Sequence, residues 1–162
     1  AALTVLAGFM RNGYLHRAIR EQGGAYGAGA DQDANSASFR FYSYRDPRLD
    51  ETLEDFDRAV DWVLEGEHHP RLLEEAILGV VASMDKPSSP AGEAKRTYFN
   101  ELFGRDLEYL TGFRQRILAV TMEDLKRVAR TWLTTDNASI GIVSNKTNLS
   151  ATTQQNLEQE TL

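Results

Sequence analysis

The chain has 162 residues, 41% of them hydrophobic, with 18 basic and 24 acidic side chains and a formal net charge of −6. That length accommodates one domain with a buried core, and the acidic balance argues against nucleic acid or an anionic membrane as a partner. With no cysteine, disulfides, thiolate zinc sites, iron–sulfur clusters and thiol catalysis are excluded.

The N-terminal stretch is amphipathic over residues 3–20. Leu3, Leu6, Phe9, Met10, Tyr14, Leu15 and Ile19 recur at spacings of three and four, which predicts a helix with one buried face. Its apolar start has no basic region before it and runs into charged residues, unlike a signal peptide. No run of about 18 apolar residues is present to span a bilayer. The expected compartment is therefore cytoplasmic or an organelle matrix. Gly23 and Gly24 mark the helix end.

A hairpin follows. Ala25 to Ala30 forms one arm, Asp31 to Asn35 a polar turn, and Ser36 to Tyr44 the other arm. The second arm alternates, with Phe39 and Phe41 on one face and Arg40, Tyr42 and Tyr44 on the other. Asp46-Pro47 reads as a cap and first position of a helix running to about Glu65. Further helices are expected from Pro70 to Met84, from Ser89 to Gly104 with Tyr98, Phe99, Leu102 and Phe103 as its apolar face, and from Leu107 to Leu118. Thr121 and Asp124 resemble a capping box before Leu125, Val128, Ala129 and Trp132. Ala138 to Ser144 reads as a final strand.

The predicted class is α+β, a two-layer sandwich of antiparallel sheet covered by helices. The expected division is one domain over 1–145 and a polar, flexible tail over 146–162. A chain that opens inside a helix, with only three strands for so many helices, suggests at least one further strand upstream.

The segment IREQGGAYGAGA (19–30) is the most unusual. Apart from Tyr26 its strand portion is alanine and glycine, which have poor strand propensity and bury little. Glycine within a strand often marks close approach by another backbone or a ligand. A phenol at Tyr26 and a guanidinium at Arg20 suit a peptide carbonyl or carboxylate. The plainer alternative is that small residues admit a packed helix, Tyr26 sits at an amphipathic edge and Arg20 pairs with Glu21. A dinucleotide reading of Gly24-x-x-Gly27-x-Gly29 fails, because that motif needs a strand before it and a helix after it.

The strings LHRAIREQGGAYGAGA and FRFYSYRDPRLDETLEDF, with ILGVVASMDKPSSPAGEAKRTYF and FRQRILAVTMEDLKRVA, resemble the last domain of the pitrilysin/insulinase family of zinc metallopeptidases. The presequence protease, or peptidasome, branch is the nearest in pattern. The resemblance covers roughly residues 3 to 145. It implies four related α+β domains in two bowl-shaped halves around a chamber, with zinc held in the N-terminal half by His-x-x-Glu-His and a downstream glutamate.

No such motif occurs here. His16 is expected on an exposed helix face, and His68-His69 in a solvated interhelical loop. The implied reading is a substrate-binding domain of a zinc metalloendopeptidase for short unstructured peptides. It would hold no metal and be inactive alone, with zinc in an upstream domain of the same polypeptide. In the branch resembled, an arginine and a tyrosine six residues apart reach the substrate near the scissile bond, and they map onto Arg20 and Tyr26. Tyr26 would donate to the developing oxyanion and Arg20 would hold the peptide main chain. A non-catalytic subunit supporting a zinc-bearing partner, or a self-contained peptide-binding module, stays open on the sequence alone. Tyr42, Tyr44 and Arg45 are not assigned to the site.

Overall fold

A computed structural model of the chain describes residues 1–134, 138–153 and 158. Helix α1 (Ala2–Met10) continues without a break into a π-helical segment (Arg11–Gln22). Strands β1 (Gly27–Asp33) and β2 (Ser38–Tyr44) follow. Then come α2 (Asp50–Glu65), α3 (Pro70–Asp85), α4 (Pro90–Leu102), α5 (Leu107–Leu118), α6 (Met122–Trp132) and the short α7 (Lys146–Ala151). The class is α+β, with a two-stranded antiparallel sheet among the described residues.

The apolar spacing of the N-terminus makes α1 the central element. Val5 to Met10 are all buried, because α1 lies against α3, β1 and α6 at once, and a helix enclosed by several neighbours is apolar all round. The buried stripe then narrows to Leu15 and Ile19 in the π segment, both 0% exposed. Burying each such side chain contributes about 1.5–3 kcal/mol. Leu125, Val128 and Ala129 of α6 complete the core. The capping box forms at its start: Thr121 accepts from the Asp124 backbone while the Asp124 carboxylate accepts from Thr121. Hydrogen bonds from Arg127 and then from Thr121 hold the Asp124 carboxyl down to about 2.

The hairpin pairs Gly27 with Tyr44 through to Asp33 with Ser38. Its two faces divide as the alternation predicts: Phe39 and Phe41 pack on the core, with Phe41 stacked on Phe56 at 5.3 Å, while Arg40, Tyr42 and Tyr44 are exposed. The first arm differs from expectation. Asp31, Gln32 and Asp33, assigned to the turn, belong to the strand. An Arg40–Asp31 ion pair at 3.0 Å extends the ladder, and Asp33 starts the turn by accepting from the Asn35 backbone at 2.8 Å.

Four other expectations are corrected. Helix α2 starts at Asp50 rather than at Pro47, because the Asp46 carboxylate is used in a local turn, accepting from the Arg48 backbone and from Thr52. The strand expected over Ala138 to Ser144 is absent; those residues have no regular structure. Ile140 is 47% and Val143 91% exposed, and among the described residues no strand pairs with this segment. Helix α4 forms, yet none of its residues is buried. Its aromatics cover one another instead, with Phe99 between Tyr98 and Phe103 at 5.7 and 6.2 Å. Trp132, read with Leu125, Val128 and Ala129 as the apolar residues behind the capping box, is exposed at the last position of α6. At the C-terminal side, Asn145 caps α7 and Thr152 and Thr153 donate to Asp50. Most of the remainder of the expected tail lies outside the described residues.

Candidate functional site

The turn that joins the N-terminal helix to β1 presents both sequence-predicted site residues. Arg20 lies in the last turn of the π segment and is exposed. Its backbone carbonyl accepts from Gly24 at 3.1 Å, and the Ile19 carbonyl accepts from Ala25 at 3.1 Å. Gly24 has φ +81, a left-handed conformation that side chains make costly. This reversal lets the chain leave the helix and begin the strand within a few residues. Widened π segments are rare and frequently lie at functional sites. Here one delivers Arg20.

Tyr26 follows the turn, 60% exposed, with its backbone N–H donating to the Arg45 carbonyl at 3.3 Å. Arg20 and Tyr26 thus stand at opposite ends of one tight turn, and each side chain has its own neighbours. The Arg20 guanidinium donates to His16 Nε2 at 3.2 Å, and His16 Nδ1 lies 3.3 Å from Glu21. A neutral imidazole with Nδ1–H directed at Glu21 satisfies both contacts. The alternative pairing of Arg20 with Glu21 is therefore taken over by His16, which bridges the two. The Tyr26 ring meets the Tyr44 ring edge-on at 5.5 Å, and the Arg45 guanidinium lies 5.3 Å from its centroid.

The bare glycine strand has a structural explanation as well. A Cβ at Gly27 would run into the Tyr44 ring, and one at Gly29 would lie 3.0 Å from both the Tyr42 hydroxyl and Arg11 Cδ. The outer face of β1 is smooth because tyrosines of β2 fold over it. Close approach by another group is what the glycines permit, and part of that group is the chain's own hairpin. The sequence alone does not assign Tyr44 and Arg45 to the site, and it places His16 on an exposed helix face. The alternation of FYSYR already placed Tyr44 outward, but the pairing of Gly27 with Tyr44 was needed to bring it to Tyr26.

The three histidines do not converge. His16 serves Arg20. His68 is half-buried rather than solvated: its Nε2–H donates to the Trp62 carbonyl at 2.9 Å, and its ring packs on Trp62 and Phe9. His69 Nδ1 caps α3 by accepting from the Arg71 backbone at 3.2 Å. Among the described residues, no group of three or more His, Asp or Glu is arranged to hold a metal ion. No helix among them is long and apolar enough to cross a membrane.

The family model described as the PreP C-terminal domain matches residues 1–146. The chain is also similar to mitochondrial presequence proteases: 38% identical over 133 residues to that of Yarrowia lipolytica, covering 82% of this chain and 13% of the relative. To the mouse protein it is 36% identical over 142 residues, covering 88% and 13%. To the Saccharomyces cerevisiae protein it is 37% identical over 134 residues, covering 82% and 13%. The chain thus spans only 13% of the length of these relatives.

Proposed function

The chain belongs to the PreP C-terminal domain family, and from that membership we propose that it is the last domain of a multidomain metalloendopeptidase acting on short unstructured peptides. The hairpin and the helices around it belong to a two-layer, metallopeptidase-like sandwich, with the domain boundary placed after residue 145. The histidines of this chain do not fit a zinc site, so the metal is assigned to another domain of the same polypeptide. The mitochondrial naming of the relatives supports a matrix location.

The contribution of this chain is to grip the peptide. An extended substrate laid across the turn between the π segment and β1 would meet Arg20, whose guanidinium donates to main-chain carbonyls, and Tyr26, whose phenol donates to the carbonyl oxygen of the bond being cut. A donor aimed at the charge that develops in the transition state lowers the barrier more than it tightens ground-state binding. The observation that carries this reading is the placement of both side chains, exposed, at the two ends of the turn built by Gly23 and Gly24.

A quenched-fluorescent extended peptide tests it. Full-length protease should cleave the peptide and the 162-residue chain alone should not. In the full-length protein, Arg20→Ala should lower kcat/KM by about 10- to 100-fold, the range for a lost charged hydrogen bond. Hydrolysis by the chain alone, or an unchanged kcat/KM for Arg20→Ala, would contradict the assignment.

A further inference from the structure

Tyr26 is exposed, yet its ring is held on two sides. Tyr44 meets it edge-on and the Arg45 guanidinium lies over its face. The same Arg45 accepts the Tyr26 backbone N–H, and it does so with φ +49, a conformation uncommon for residues other than glycine, asparagine and aspartate. Asp46 follows it and turns back on the Arg48 backbone at 3.0 Å. The chain therefore leaves β2 through a left-handed residue whose carbonyl and side chain both engage Tyr26. Resting on the reading of Tyr26 as a substrate donor, we infer that Arg45 is a positioning residue for the Tyr26 phenol, with Tyr44 as the second wall of its seat.

The physical effect has two parts. A guanidinium over the ring restricts rotation about the side-chain torsions, so the hydroxyl is already aimed when a peptide arrives. Its positive charge on the π face also polarises the O–H bond, strengthening the phenol as a donor to a developing negative oxygen. Neither part requires Arg45 to touch substrate. Losing it should therefore lower kcat and leave KM in place.

The test uses full-length protease carrying 3-fluorotyrosine at position 26 for ¹⁹F NMR, alongside kinetics of the unlabelled protein. Arg45→Ala should lower kcat about 2- to 5-fold, in keeping with the strength of an exposed cation–π contact, and should shift the fluorine resonance. Arg45→Lys, which keeps the charge, should restore most of both. Arg45→Gly relieves the positive φ but removes the guanidinium, and should behave like Arg45→Ala. A resonance unmoved in the Ala and Gly variants, or a Gly variant equal to the parent protein, would overturn the inference. A moved resonance combined with full activity of Tyr26→Phe would instead refute the catalytic reading of Tyr26, while Arg45 would keep its hold on the ring.

Discussion

Replacing Tyr26 by phenylalanine in the full-length protease is expected to lower kcat by about 100- to 1,000-fold, the effect of removing one oxyanion donor, with KM nearly unchanged. The substitution deletes a single oxygen from an exposed ring. The edge-on contact with Tyr44 and the guanidinium of Arg45 both survive it, so the hairpin is left intact and its thermal midpoint should not move. Steady-state kinetics on a quenched peptide, with a melting curve on the same sample, separates a lost donor from a lost fold. An unchanged kcat would remove Tyr26 from the chemistry.

One position before Arg20 the expected effect is of the opposite kind. Ile19 is 0% exposed and its carbonyl accepts from Ala25, so its side chain anchors the end of the π segment from within the core. Ile19→Ala should destabilise the domain by about 2–5 kcal/mol, the range for truncating a buried branched side chain, and chemical denaturation reads it directly. Arg20→Ala, on the exposed side of the same turn, should leave stability within about 0.5 kcal/mol. A small loss for Ile19→Ala would mean that the turn is not anchored as described.

The parts of this fold legible in the sequence are those decided by local chemistry. Helix spacing, the Thr121–Asp124 box, the Pro70 and Pro90 starts and the alternation of Phe39 to Tyr44 depend on neighbours a few residues apart. What depended on distant partners was not legible. The apolar faces of α4 and of Ala138 to Ser144 carry the right residue types, but nothing in the described structure covers the former or pairs with the latter. Asp46 resembles a helix cap but serves a turn, because the Arg48 backbone and the Thr52 hydroxyl each take one of its carboxylate oxygens. In the site, Arg20 and Tyr26 stood out from their unusual segment and from the family resemblance. Their contacts His16, Tyr44 and Arg45 did not: Arg20 meets His16 through the coil of the π segment, and Tyr26 meets the other two through the strand register.

On the proposed reading, position 26 faces the peptide bond that the full-length protease cuts. Placing the photocrosslinker p-benzoylphenylalanine at position 26 of catalytically disabled full-length protease and irradiating it with a bound peptide tests that claim most directly. The predicted result is an adduct, mapped by mass spectrometry, on the residues flanking the bond that the active protease cleaves. An adduct confined to residues far from that bond, or none from a protein that still binds the peptide, would contradict the account.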